Sequence, residues 1–400
     1  MIYRVIIALL WPFALLARLI GGESLADLAE RLGLGKALGA PVLWLHGASN
    51  GELTSARWLV ALALEARPDL TVLVTCNTRT ARAMVQGWQM PGVTAALAPL
   101  DTGLAIRAYV RRHEPLALWS LEAELWPNRF AFCASRGLPV LMLGARMSER
   151  SFRAWTRLGG LARSALTGVR YASAQDDASR LRLVALGLPK AAIGPDFDLK
   201  AEAVARQPRP QQGPREQRAG WLLAASTHVG EDEIVVDGFV AARLTHLILA
   251  PRHPSRGDAI AAMLTKRGLD FQRRSQGGLP GAARVLLADT MGEMEEWYAR
   301  CGICFIGGTL ADKGGHTPWE PARHGCALLH GPSRWNFAAP FAAFDAAGAA
   351  LAVTDASLGA VLGTLDGSHQ DQMSRAAEAI LQAKRDSDAY FHEILKYSGL

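Results

Sequence analysis

Short runs of apolar and β-branched residues alternate with stretches of helical period along the first half of the chain. Val42–His46 (V-L-W-L-H) leads through a Gly-containing loop into a helical pattern from Leu53 to Ala66. Leu70–Thr75 is the next candidate strand, a helical pattern follows through Ala81–Gln86, and Leu116–Ser120 and Pro139–Leu143 are two further strands. Short apolar strands separated by helices predict a parallel sheet covered on both faces. Residues 201–219, rich in Pro, Gln and Arg and poor in large apolar groups, interrupt the pattern and read as a linker. Beyond them the alternation restarts, with candidate strands at Trp221–Ala225, Leu247–Ala250, Val285–Leu287, Ile303–Ile306 and Ala327–Leu329, and a helical period over Met373–Tyr397. The pattern predicts an α/β protein of two Rossmann-like domains, residues 21–205 and 206–372. A helix over 1–20 precedes them, and a C-terminal helix over 373–400 returns toward the first domain. A length of 400 residues suits two domains. Two such sheets suggest a cleft between them, with ligands beyond the carboxyl ends of the strands.

The N-terminus breaks the alternation. Val5–Ala17 is uncharged and bracketed by Arg4 and Arg18. As a helix it rises only about 20 Å, short of a hydrocarbon core of about 30 Å. No small-x-small cleavage site follows it. It reads as an interfacial anchor whose arginines reach anionic headgroups; the competing reading is a first helix packed on the core. The net charge of +6 and pI of 9.2 suit nucleic acid, an anionic membrane or phosphorylated substrates. The lack of a dense Lys/Arg run or an aromatic-interleaved basic stripe counts against nucleic acid. The five cysteines are scattered, which is no disulfide framework. Cys301 and Cys304 form a single C-x-x-C and read as small hydrophobes of a buried strand rather than as a metal or redox pair.

Five small polar loops follow strands. In W-L-H-G-A-S-N-G-E-L, Glu52 stands at a helix start, where the dipole favours an ionised carboxylate that can take a proton from a hydroxyl. The same residue also completes an S-x-x-E cap with Ser49. Ser49 and Gly51 are candidate substrate contacts. In S-L-E-A-E-L-W-P-N, Glu122 and Glu124 are either site carboxylates, oriented by Arg146 or Arg150, or a solvated turn. A-A-S-T-H-V-G-E-D-E offers Ser226, Thr227 and His228 at a helix start suited to an anion. L-A-P-R-H-P presents Arg252 and His253 between two prolines, with a guanidinium fork for phosphate or carboxylate. F-I-G-G-T-L-A-D-K-G-G-H-T-P-W-E-P carries Gly308, Gly315 and His316, then Thr317, Pro318 and Glu320 in the order of a capping box. Glu320 either caps that helix or accepts hydroxyls from a ribose, and Asn336 closes the region.

The wording and order of these motifs resemble the Kdo (3-deoxy-D-manno-octulosonic acid) transferase family of lipopolysaccharide synthesis. The matching segments run from H-G-A-S-N-G-E through E-A-E-L-W-P-N, A-R-M-S-E-R, A-A-S-T-H-V-G-E, P-R-H-P, D-T-M-G-E-M and G-G-H-T-P-W-E-P to G-P-S-R-W-N-F. The resemblance implies a GT-B fold, CMP-Kdo as donor, lipid IVA or a Kdo-bearing form of it as acceptor, no required metal and no cofactor. With the apolar N-terminus, it implies a place on the cytoplasmic face of the inner membrane. It puts Glu52 in the position of the general base for inverting transfer and Glu122 and Glu124 in those of site carboxylates. Arg252, Met291, Gly292, Glu293, His316, Glu320 and Asn336 fall in donor-side motifs. Thr317 stands where the family usually has Asn. Thr75–Ala81 (T-C-N-T-R-T-A) and Gly194–Lys200 (G-P-D-F-D-L-K) depart from the family wording. The rival readings are a GT-B transferase or epimerase using UDP-sugars, and a nonenzymatic membrane-peripheral lipid-binding protein. Intact Glu52, Glu122 and Glu320 count against the latter.

Overall fold

The structure, a computed structural model, describes residues 2–39, 41–122, 125–385 and 389–400. The chain divides into two compact units. One comprises the residues up to Ala203 plus the C-terminal segment ending at Leu400, and the other runs on from Val204.

The first unit holds β1 (Val42–His46), β2 (Thr71–Cys76), β3 (Val93–Leu97), β4 (Pro115–Leu121), β5 (Val140–Ala145) and β6 (Val169–Ala174). They form one parallel sheet in the order β3-β2-β1-β4-β5-β6. Successive side chains of a strand point to opposite faces, and both faces here are apolar. Leu43, Leu45, Val74 and Trp119 pack with Leu53, Ala56 and Leu59 of helix Asn50–Ala66. Val42, Trp44, Leu118 and Met142 pack with Phe130 and Cys133 of helix Pro127–Ser135. The final helix, Ala389–Ser398, closes the first face: the buried Trp119 indole donates to Ser398 Oγ at 2.7 Å, and the Ser173 and Tyr390 hydroxyls lie 2.6 Å apart. The 373–400 stretch is therefore not one helix. Helix Gly367–Arg385 belongs to the second unit, where it buries Met373, Ala377 and Leu381.

The second unit holds β7 (Trp221–Thr227), β8 (His246–Pro251), β9 (Phe271–Arg273), β10 (Val285–Leu287), β11 (Ile303–Ile306), β12 (Ala327–His330) and β13 (Ala350–Ala352). Its sheet is also parallel, in the order β13-β12-β11-β7-β8-β10-β9. Four strands are absent from the sequence reading: β3, β6, β9 and β13. β3 has one fully buried position, β6 is V-R-Y-A-S-A, and β9 and β13 have three residues each. A half-solvated strand (β3), very short ones (β9, β13) and a buried one interrupted by Arg170 and Ser173 (β6) lack the continuous apolar run that marks a buried parallel strand.

The segment read as a linker is tied down. It contains helix Arg215–Arg218 and the end of helix Leu199–Arg206. Arg218 is only 3% exposed and donates to the carbonyls of Tyr298, Cys301 and His324. Its anchors are guanidinium groups with buried stems rather than large apolar side chains, which is why composition suggested a loose tether.

The N-terminal helix spans Ile2–Ile20, longer than its uncharged stretch. Among its described side chains Leu10, Phe13, Leu16, Leu19 and Ile20 stand exposed, Phe13 at 68% and Ile20 at 79%. Tyr3 ties its first turn to Asp101 at 2.9 Å, and Arg18 pairs with Glu23 at 3.2 Å. No helix among the described residues is long and apolar enough to cross a membrane.

Candidate functional site

Strand order runs outward in opposite directions from the β1/β4 boundary of the first sheet and from the β7/β11 boundary of the second. Such switch points open crevices beyond the strand ends. Five non-glycine residues among those described have positive φ, and two fall here: Glu122 (φ 46) just after β4 and Ser226 (φ 57) near the end of β7. A left-handed backbone is costly for residues with a Cβ and tends to mark functional sites. At Ser226 it also shifts the β7–β8 register.

In the first unit, Ser49 caps helix Asn50–Ala66. Its hydroxyl accepts from the Glu52 N–H at 3.4 Å and donates to Glu52 Oε1 at 3.0 Å, while the Ala48 N–H donates to Oε2 at 2.8 Å. The capping and carboxylate readings thus fall on one half-buried group. Gly51 is exposed one residue earlier. His46 is fully buried against Thr75, with Nδ1 3.0 Å from Oγ1, a structural strand-end histidine.

The Glu122 carboxylate pairs with Lys200 at 2.9 Å, not with Arg146 or Arg150. Arg146 is exposed after β5, and Arg150 lies on the exposed surface of helix Glu149–Arg157. Lys200 escaped the sequence reading; its signal was the final residue of G-P-D-F-D-L-K. Glu124 lies outside the described residues.

In the second unit the organising residue is Glu231, another that the sequence reading missed although it lies in A-S-T-H-V-G-E. Its carboxylate, 1% exposed, accepts from the N–H groups of His228 (2.8 Å), Gly308 (2.7 Å), Leu310 (2.9 Å) and Ala311 (3.1 Å). One side chain therefore holds together the loops after β7 and β11. Gly307 fits against the Ser226 carbonyl so closely that any Cβ there would collide with it. Gly308 and Gly315 both use positive φ (72° and 76°), and the Gly315 N–H bonds the Gly308 carbonyl at 2.9 Å.

Several expected contacts have other partners. Thr227 is wholly buried and donates to Asp232 at 2.6 Å, so its hydroxyl does not face a ligand. The helix start there, at Glu231, follows Gly230 without a side-chain cap. The Thr317 capping box does not form: helix Trp319–Arg323 starts after Pro318, and Thr317 Oγ1 accepts from the Trp319 N–H at 3.3 Å. Glu320 meets Tyr298 instead, and burial, with Glu295 nearby, raises its carboxyl pKa. The Asn336 amide donates to the Lys313 and Gly315 carbonyls at 2.9 and 3.3 Å, pinning the glycine loop.

His228 and His316 stack with ring planes 6° apart and Nε2 atoms 3.0 Å apart, and His253 stands edge-on to His228. Burial, then the charges of His228, Arg252 and His253, push His316 down to about 4. Arg252 itself is exposed, its N–H on the Thr227 carbonyl at 3.0 Å. After β10, Met291 is 69% exposed and Gly292 has φ 91. Glu293 pairs with Arg274 at 2.6 Å and accepts from Thr290; these bonds hold its carboxyl below the usual range. Asp289, also missed from sequence, fixes the base of this loop through Arg273 and Ser275.

Two parallel doubly wound units, each with polar loops and a strained residue at its switch point, have the architecture of GT-B proteins. Anabaena HepE in complex with UDP is a solved structure of this kind, with a TM-score of 0.57 at 13% identity over 90% of this chain and 100% of that one. The family profile described as 3-Deoxy-D-manno-octulosonic-acid transferase (kdotransferase) matches residues 26–203. The chain is 31% identical to the 3-deoxy-D-manno-octulosonic acid transferase of Haemophilus influenzae over 90% of its own length and 84% of that protein. It is 35% identical to the enzyme of the same name from Bordetella pertussis, over 80% and 77%. The chain belongs to the Kdo transferase family, and is a glycosyltransferase of lipopolysaccharide biosynthesis.

Proposed function

We propose that the protein transfers Kdo from CMP-Kdo to lipid IVA, with inversion and without a metal, on the cytoplasmic face of the inner membrane. The observation that carries this reading, beside family membership, is the Glu52 carboxylate in the first turn of helix Asn50–Ala66, held by the Ala48 N–H and the Ser49 hydroxyl. An acceptor hydroxyl attacks the anomeric carbon of Kdo, the bond to the CMP phosphate oxygen breaks, and Glu52 takes the hydroxyl proton. A carboxylate suffices as base because glycosyl transfer passes through an oxocarbenium-like state in which the proton leaves late. The exposed Arg252 guanidinium offsets the negative charge developing on the leaving phosphate. The exposed apolar side chains of helix Ile2–Ile20 support attachment to the bilayer surface.

The test is incubation of purified protein with CMP-Kdo and lipid IVA, followed by mass spectrometry of the lipid, with and without EDTA. The expected product is Kdo-modified lipid, formed equally in both. Glu52→Gln should lower turnover by about 100-fold or more while CMP affinity is kept. Near-normal turnover in that variant rejects the base assignment, and turnover only with UDP-sugars rejects the donor.

A further inference from the structure

Residues 207–218, within the 201–219 stretch that composition marked as a linker, line a hollow of about 400 Å³ in the second unit through Arg209, Gln212, Arg215 and Arg218. Arg375 and Ser374 of helix Gly367–Arg385 line the opposite side. Arg218 reaches the carbonyls of Cys301 and His324, which precede β11 and β12. The hollow therefore lies at the amino ends of these strands, whereas the loops of the candidate site follow the carboxyl ends.

Its polar groups are incompletely matched. Arg218 Nε, Arg215 Nη1 and Gln212 Nε2 are buried and have no hydrogen-bond partner among the described residues. The other Arg218 nitrogens are engaged: Nη1 with Gln212 Oε1 at 2.9 Å, and Nη2 with backbone carbonyls. Arg215 Nε pairs with Asp371 at 2.7 Å and Arg209 Nη2 donates to Ser374 at 2.7 Å. Donors also converge on the bare α-carbon of Gly325. A Cβ placed there would lie under 3.0 Å from Arg209 Nη2, Ser374 Oγ and Gln212 Nε2. Four arginines face one aspartate in the lining, and Glu378 stands 3.6 Å from Arg209. Burial lowers the Arg218 pKa, and Arg215 and Arg209 act in the same direction. Buried donors without acceptors beside an excess of like charge are the converse of what a chain arranges for itself. An anion in the hollow offsets that excess charge.

We infer that this hollow is an anion site for a phosphoryl group, held by the guanidinium groups of Arg209, Arg215 and Arg375 that line it, with the buried Arg218 behind them. Guanidinium forks suit the tetrahedral, multiply accepting phosphoryl group. Occupancy would fasten the 207–218 segment to helix Gly367–Arg385. The site is separate from the donor loops and does not rest on the donor assignment.

The test is thermal unfolding of the full chain with inorganic phosphate at constant ionic strength, with chloride as reference. Phosphate should raise Tm in a saturable manner in the wild type and in Arg252→Gln. Arg218→Met risks unfolding because three carbonyls lose their donor, so Arg375→Gln and Arg215→Gln carry the test. Each should weaken the apparent phosphate affinity by about tenfold or more. Glycerol 3-phosphate and phosphatidic acid vesicles distinguish the source of the group. A response to the soluble ester identifies free phosphates, and one confined to vesicles identifies a lipid headgroup; loss of either in both variants supports the site. The inference is overturned if phosphate acts no more strongly than chloride, if both variants keep the wild-type response, or if Arg252→Gln abolishes it.

Discussion

His316 is held in its neutral form by its surroundings. It stacks on His228, and Arg252 and His253 add positive charge. On the other side of the pair, Glu231, Lys313 and Arg256 act on His228, whose pKa is also lowered, chiefly by burial. Folding moves His316 from 6.5 to about 4, so the unfolded chain binds a proton that the folded chain refuses. Stability therefore rises with pH between about 4 and 6.5 and is lost as pH falls through that window. Urea midpoints should drop between pH 7 and pH 5, and His316→Gln should flatten that dependence; an unchanged slope in the variant contradicts the assignment. The sequence located the loops that carry these residues but not the direction of each side chain. Thr227 and Asn336 look like ligand contacts in a string of letters because a hydroxyl or amide is equally able to bond a ligand or a neighbouring loop. Only the fold, by burying Thr227 and setting Asn336 on two carbonyls, decides between them.

Loops after β7 and β11 come from elements about 80 residues apart and are joined by one carboxylate. Glu231→Ala would leave four backbone N–H groups without that acceptor. The expected cost is about 3 kcal/mol, since removing a buried charged acceptor strands its donors. Equilibrium urea unfolding measures it, and CMP affinity should fall in parallel if these loops hold the donor. A loss under about 0.5 kcal/mol would mean that water replaces the carboxylate at little cost. At this scale the sequence was most legible where burial is two-sided: β1, β2, β4, β5, β7, β8 and β11 all announce themselves as apolar runs. Edge strands such as β9 and β13, and the arginine-anchored 207–218 segment, did not, because their order comes from neighbours rather than from their own composition.

The whole molecule presents an apolar helix face on its first unit, with Phe13, Leu16 and Ile20 exposed and Arg18 beside them. On the proposed membrane reading, Phe13→Glu combined with Leu16→Glu should weaken partition into anionic vesicles by about 100-fold, because each apolar side chain contributes about 1.5–3 kcal/mol on leaving water. Co-sedimentation measures this, and equal binding by the variant would move the attachment elsewhere. The period of the chain also made the two-sheet plan legible; helix Ala389–Ser398 belongs to the first unit although the whole second unit precedes it in the chain. That arrangement sets an order in time. On the ribosome, the first sheet emerges early, yet the Trp119 indole and the Ser173 hydroxyl wait for Ser398 and Tyr390 through the synthesis of the entire second unit. The first unit must spend that interval with part of one sheet face uncovered, around Trp119 and Ser173, so a helix made only after the second unit is what lets the first unit finish folding.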